Sequence, residues 1–177
     1  MRSLRLIASC CWLMAILGVV ARAQAPAKPM ATNLHENDAE IRALYDHWAK
    51  VFEARDIDGI MSLYVSGDQL VAYDVVPPLQ YQGSDAYRKD YVDFLNQFEG
   101  PVHVEYRDLQ VFSSGSVGFV HALERFTGKM KNGQSVDMWL RATSGVVKVD
   151  GKWLIVHDHI SVPADLDTGK ALVDLKP

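Results

Sequence analysis

The chain is poor in cysteine, in positive charge and in long apolar runs, and each shortage excludes a class of protein. Its two cysteines, Cys10 and Cys11, both lie within the first 23 residues. Without that segment the protein has no disulfide, no thiolate metal site and no cysteine nucleophile. The chain has 18 Lys and Arg against 22 Asp and Glu. This acidic balance argues against nucleic acid or an anionic membrane surface as a partner.

The first residues have the three parts of a secretory signal peptide. Arg2 and Arg5 form a charged start, Leu6 to Val20 is an apolar stretch, and Ala21-Arg22-Ala23 has the small-x-small pattern of a cleavage site. We therefore predict a signal peptide over residues 1–23 and a periplasmic or secreted mature protein. The apolar stretch is short for a membrane span, so no membrane association is expected after cleavage.

An alternative for the same segment is a lipobox at Ile7-Ala8-Ser9-Cys10, in which Cys10 becomes the lipidated N-terminus. In a lipoprotein the apolar stretch precedes the cysteine, whereas here the longest apolar stretch follows Cys10. The pattern therefore favours a continuous signal peptide that is removed.

The predicted mature chain has 154 residues and suits one domain with a sizeable core. Its formal charge is −7, because the leader takes three arginines with it. Residues 24–36 are rich in Pro and Ala and are predicted to be a flexible linker. The folded domain is expected at residues 37–163, followed by a C-terminal tail at 164–177.

Three helices are predicted before the main sheet. The first has an apolar stripe at helical spacing, and Asn37 with Glu40 resembles a capping box at its start. The sequence "DGIMSLY" predicts a short second helix, and Ser84 is placed to cap a third. The stripe of the first helix consists of Ile41, Leu44, Tyr45, Trp48, Val51 and Phe52.

The rest of the domain is predicted to be β-structure. A short strand, "QLVAYDVV", lies between the second and third helices, and four long strands follow the third. Asn132-Gly133 and Asp150-Gly151 are typical of tight hairpin turns, so the long strands are expected to form an antiparallel meander. Helices followed by a hairpin-connected sheet predict an α+β fold, with three helices over a strongly bent antiparallel sheet.

Two stretches carry a resemblance to a known family. "ARDIDGIMSLY" and the closing "DGKWLIVHDHISVP" resemble the SnoaL-like branch of the NTF2-like (ketosteroid isomerase-like) superfamily, over about residues 38 to 163. The resemblance implies a cone-shaped sheet around a cavity. It does not imply one function, because this fold serves isomerases, dehydratases, hydrolases, assembly domains and binding modules.

The isomerases of that superfamily suggest where chemistry takes place. A carboxylate base at the end of the first strand corresponds to Asp74, and a protonated carboxyl on a later strand corresponds to Asp137. Asp74 also follows an apolar run, where a carboxyl can become a base matched to neutral pH; the alternative is a strand-end Asp that accepts turn hydrogen bonds. Trp48 stands where the isomerases have a tyrosine, and it has no phenolic donor, which argues against steroid-type isomerisation.

The histidines of "HDH" allow two interpretations. His157 and His159 share one face of a strand, where they either hold a metal with a third ligand such as His121 or His103, or act as pocket and structural residues. We favour the second interpretation and predict neither a metal site nor a cofactor. His159 lies in the closing motif of the family, so it is the predicted catalytic histidine, with His157 nearer the rim.

A polar stripe runs along the third long strand. Asp137, Trp139 and Arg141 share one face by alternation, and buried charges must be paired. We predict that the stripe lines the pocket and that Arg141 binds a carbonyl or carboxylate. An internal ion-pair network or a dimer face is the alternative.

Aromatic residues are predicted to divide between the core and the pocket. Stripes at helical spacing usually pack helices on a sheet. Trp48, Tyr64 and Tyr91 are the candidates for the pocket wall, and the two tyrosines can supply hydroxyl donors.

We therefore predict a protein with an apolar pocket for a small hydrophobic carbonyl or carboxylate compound. If it is an enzyme, the chemistry is cofactor-independent acid–base work with Asp74 as base and Asp137, Arg141 and His159 around the substrate oxygen. The alternatives are a non-catalytic ligand-binding or assembly module and, less favoured, a metal-dependent enzyme.

A homodimer is also predicted. Apolar residues occur in both parities of the second long strand, so both sheet faces need cover, while the helices cover one. One parity contains Val117, Phe119 and Leu123, and the other contains Val120, Ala122 and Phe126.

Overall fold

The structure is a computed structural model, and it describes residues 35–177. The predicted signal peptide, the lipobox alternative and all but the last two residues of the predicted linker lie outside this range. Within it, no helix is both long and apolar enough to cross a membrane.

Three helices and six strands make up the domain. The helices are α1 (Asp38–Glu53), α2 (Ile57–Met61) and α3 (Ser84–Leu95). The strands are β1 (Val71–Tyr73), β2 (Tyr81–Gln82), β3 (Phe98–Ser114), β4 (Val117–Met130), β5 (Ser135–Val149) and β6 (Lys152–Ser161). A short 3₁₀ turn, Gly67–Gln69, precedes β1.

The strands form one curved, open sheet in the order β2-β1-β6-β5-β4-β3. The four long strands form the predicted antiparallel meander, and the α+β class with helices over a bent sheet is confirmed. The sheet is mixed, however, because β1 pairs with β6 in parallel. The long connection between these strands allows parallel pairing, which a tight hairpin does not.

The first helix packs against the sheet as its apolar stripe predicts. All six stripe residues of α1 are buried, and they form one core with the residues of β4, β5 and β6 that face the helices. Asn37 and Glu40 do not form a capping box. The Asn37 amide donates to the carbonyl oxygen of Gly115 at 3.2 Å, and Glu40 accepts from Lys148 and Trp153.

Candidate functional site

A small cavity of about 90 Å³ lies between the helices and the sheet. Aromatic side chains of the helices and of the segment after α2 form one wall, and the sheet forms the other. The helix-side wall includes Tyr45, Trp48, Phe52, Tyr64, Tyr87 and Tyr91. Trp48, Tyr64 and Tyr91, which the sequence suggested for the pocket wall, all line this cavity.

Four carboxyl groups line this aromatic cavity. They belong to Asp74, Asp90, Glu124 and Asp158, and the described residues that line the cavity include no Lys, Arg or His. Carboxyls gathered in apolar surroundings cannot all hold a negative charge at low cost. The site therefore favours protonated carboxyls at a pH where exposed ones are ionised.

Asp74 follows β1 directly and lies where the cavity meets a wider outer groove. Asp74, Val75 and Ile160 line both spaces, and the groove encloses about 540 Å³. The Val75 N–H donates to Asp74 Oδ1 at 2.6 Å. Burial, with the charge of Asp90 as the next cause, raises the pKa of the Asp74 carboxyl to about 6.

Asp158 is a buried carboxyl on β6, and each of its oxygens accepts a hydrogen bond. The Tyr64 hydroxyl donates to Oδ2 at 2.7 Å, and the Ser144 hydroxyl donates to Oδ1 at 2.5 Å. The Tyr64 hydrogen is used in the bond to Asp158, so the Tyr91 hydroxyl is the donor in its 2.7 Å hydrogen bond to the Tyr64 oxygen. The Trp48 N–H donates to the same oxygen at 3.1 Å. Burial raises the pKa of Asp158, although both hydroxyls act against that rise.

Glu124 and Tyr45 face the cavity without such partners. Glu124 is 3% exposed, and its Oε1 has no hydrogen-bond partner. Burial, reinforced by the charges of Asp158 and Asp74, raises the pKa of Glu124 well above its usual value. The buried Tyr45 hydroxyl lies beside Ser144 but makes no hydrogen bond of normal geometry. Both are polar groups of the wall that a ligand can satisfy.

The predicted polar stripe of β5 is not part of the cavity. Asp137 and Arg141 are exposed and Trp139 is half-buried on the outer face of the sheet. Asp137 instead binds Arg125 at 2.8 Å and Lys176 at 3.1 Å, which holds its pKa well below the usual range. Asp137, Trp139 and Arg141 do share one face of β5, as predicted, but the prediction that this face lines the pocket is wrong. The alternate residues Met138, Leu140 and Ala142 face the cavity instead.

The two histidines also point away from the cavity. His159 is exposed in the outer groove, and the Nδ1–H of the half-buried His157 donates to the carbonyl oxygen of Val71 at 2.8 Å. His159, which the sequence suggested for the pocket, therefore lines the outer groove and not the aromatic cavity. Val146 and Gly145 of β5 pair with Ile155 and His157 of β6. Val156 is therefore an extra residue, a β-bulge, after which the side chains of β6 point to the opposite faces of the sheet.

That bulge explains why Asp158 was missed. In a regular strand, the buried Trp153 and Ile155 would share a face with His157 and His159. After the bulge, Asp158 and Ile160 face the cavity instead. Glu124 and Tyr45 carried a usable signal, since each lies in an apolar stretch whose period places it among buried neighbours.

Within residues 35–177, no three His, Cys, Asp or Glu side chains are grouped so that they could hold a metal ion. The histidines considered as third ligands lie elsewhere. His121 stacks on Phe112, and His103 Nδ1 lies 3.4 Å from Glu53 Oε1.

The family model of the SnoaL-like domain matches residues 41–165. No match is found among curated protein sequences.

Several solved structures share the fold. An NTF2-like protein of unknown function from Pseudomonas putida KT2440 is 35% identical over 78% of this chain and 95% of its own, with a TM-score of 0.70. An NTF2-like superfamily protein from Salmonella enterica serovar Typhimurium is 17% identical over 76% and 96%, with a TM-score of 0.66. A ketosteroid isomerase-like protein from Erwinia carotovora atroseptica is 20% identical over 71% and 95%, with a TM-score of 0.61.

Proposed function

The chain belongs to the SnoaL-like domain family of NTF2-like proteins, and from that premise we propose that it binds a small, largely apolar carbonyl compound and removes a proton from it. One observation carries the proposal. A carboxyl with a pKa of about 6, Asp74, stands at the mouth of an aromatic cavity. A general base is most effective when its pKa lies near the working pH.

The wall of the cavity limits the ligand. Aromatic and aliphatic side chains supply most of it, while the four carboxyls are accompanied by no cationic side chain among the described lining residues. A carboxylate ligand would meet negative charge without compensation. Arg141, which the sequence suggested as its partner, lies on the outer face. The proposed ligand therefore has a carbonyl and not a carboxylate.

In the proposed reaction Asp74 is the general base and the Tyr45 hydroxyl is the hydrogen-bond donor to the carbonyl oxygen. The Val75 N–H donates to Asp74 Oδ1, and the backbone of Val76 also stabilises the carboxylate. These contacts fix the carboxylate at the mouth of the cavity, where it takes a proton from carbon. The Tyr45 hydroxyl makes no hydrogen bond of normal geometry, so its proton is available to the carbonyl oxygen, where negative charge develops as the C–H bond breaks. The Tyr64 hydroxyl already donates to Asp158, so its role is to stabilise the cavity wall and not to bind the substrate.

Hydrogen–deuterium exchange of cyclopentanone in D₂O tests this proposal without knowledge of the natural substrate. Proton NMR follows loss of the signals next to the carbonyl. We expect exchange above the buffer rate, a rise in rate as pH increases through about 6, and a fall of about 100-fold in Asp74→Asn. Asp137→Asn removes the same charge from the outer face and should match the wild type.

Two results would overturn the catalytic role. One is wild-type exchange no faster than buffer, and the other is Asp74→Asn as fast as wild type. If cyclopentanone shifts amide resonances of the cavity wall without exchanging, the protein is a binding module of the same fold.

A further inference from the structure

Glu124 is a buried acid that the proposed reaction does not use. It lies on β4, is 3% exposed, lines the cavity and leaves Oε1 without a partner. A buried polar group without a hydrogen bond costs roughly 1–3 kcal/mol. Folding alone gives no reason to place a carboxyl here in place of an apolar side chain of the same size.

The titratable groups around Glu124 are acids and phenols. Tyr45 faces it from α1, Tyr106 from β3, and Asp158 and Asp74 influence it from β6 and from the end of β1. None of these side chains is cationic. An ionised Glu124 therefore has no counter-charge within the described cavity wall.

We infer that the ligand carries a protonated amine, which Glu124 binds, in addition to the carbonyl group on which Asp74 acts. This inference rests on the proposed function, because it concerns the same cavity. An ammonium group supplies both the missing hydrogen-bond donor and the missing positive charge.

The aromatic wall suits such a ligand. Ammonium groups are attracted to the faces of Tyr, Phe and Trp rings within about 6 Å, and desolvation inside a cavity strengthens both this attraction and the pairing with a carboxylate. A neutral alcohol gains neither the attraction to the ring faces nor the pairing with a carboxylate. A carboxylate meets repulsion from the four lining carboxyls.

Binding of the amine is coupled to a proton. Glu124 must be ionised to pair with it, while burial favours its neutral form. The cation therefore displaces a proton from the site, and affinity for an amine should rise with pH between 5.5 and 8, as long as the amine stays protonated.

Two-dimensional NMR titrations of the full chain with three matched probes test the inference. The probes are cyclopentylamine, cyclopentanol and cyclopentanecarboxylate. At pH 8 we expect the amine to bind about tenfold more tightly than the alcohol, with no binding of the carboxylate. Glu124→Gln should reduce affinity for the amine to that for the alcohol, and Asp137→Asn, which removes the same charge outside the cavity, should keep the preference.

Equal affinity for amine and alcohol, or a preference that survives in Glu124→Gln, would overturn the inference. If that variant fails to fold, the wild type alone decides: amine affinity that does not rise between pH 5.5 and 8 contradicts the role of Glu124. The proposed function fails separately. Cyclopentanone exchange without amine preference refutes only the ligand class, and amine preference without exchange refutes only Asp74 as base.

Discussion

Individual residues of the cavity hold their protons more tightly than exposed carboxyls do. Burial raises the pKa of Asp74, Glu124 and Asp158 above the usual Asp and Glu values. The folded protein therefore binds more protons than the unfolded chain as pH rises above about 4. Stability from these groups is fully present at low pH and is lost as pH rises through their folded pKa values.

Glu124→Gln should accordingly stabilise the protein, and more so in alkaline solution. Glutamine keeps the shape and cannot ionise, so the cost of an unpaired buried charge disappears. We expect the free energy of unfolding to exceed that of wild type by roughly 1–3 kcal/mol at pH 8, with a smaller difference at pH 5. Urea unfolding at both pH values measures this, and a loss of stability at pH 8 would contradict it.

The hydroxyl network predicts an order of stability for two conservative variants. Tyr64→Phe removes the donor to Asp158 and the acceptor for both Trp48 and Tyr91, so it should cost about 2–3 kcal/mol. Tyr91→Phe removes one bond and should cost about 1 kcal/mol. Urea unfolding of both proteins decides the order, and a larger cost for Tyr91→Phe would show that the network is assigned wrongly.

The sequence suggested those cavity residues whose position follows from their immediate neighbours in the chain. Trp48 lies on the buried stripe of α1, and Asp74 directly follows the apolar strand β1. The alternation along β5 does not by itself say which face is buried, so it did not place Asp137 and Arg141 on the outer face. The partners of Asp137 come from β4 and the C-terminal tail, and such pairing depends on tertiary contacts.

Among the elements, β6 decides which residues reach the cavity. A bulge of one residue exchanges the faces of the strand, and nothing in "WLIVHDHIS" marks Val156 as the extra residue. The start of α1 is similar, because Asn37 and Glu40 bond to the β3–β4 turn and to the ends of β5 and β6 instead of capping the helix. The Asp150-Gly151 turn was predictable because both residues adopt positive φ.

The approach of α1 to the sheet predicts the effect of a single methyl group. A Cβ at Gly118 would lie 2.8 Å from Val146 Cγ2 and 3.1 Å from Ile41 Cδ1. Gly118→Ala should therefore destabilise the protein by about 1–3 kcal/mol. Gly145→Ala is the control, because its Cβ would meet neighbours at 3.7 Å. Thermal unfolding compares the two, and equal melting temperatures would contradict this packing.

For the whole molecule, we predict a homodimer through the outer face of the sheet. The helices cover the inner face, while Val117 is 57% and Phe119 is 44% exposed on β4. Light scattering should give twice the mass of one chain, and Phe119→Glu should give a monomer, because a charge in an apolar interface is costly to desolvate. Val92→Glu, at an exposed apolar position of α3, should remain dimeric. A monomeric wild type at micromolar concentration would contradict the prediction.

The fold and the family could be predicted from the sequence, because they depend on hydrophobic periodicity and turn residues along most of the chain. The proposed function depends on a few side chains brought together from α1, β4, β6 and the residue that follows β1. Export through the predicted signal peptide stays a prediction, since those residues lie outside the described range.

The most direct test of the account is a carbon-13 NMR titration of the aspartate side-chain carboxyls, with Asp74 assigned from its missing signal in Asp74→Asn. We expect Asp74 to titrate with a pKa of about 6 and cyclopentanone to shift its titration curve, because the ligand excludes water beside the carboxyl. Titration of Asp74 near 4, as for an exposed aspartate, with no response to cyclopentanone, would contradict it.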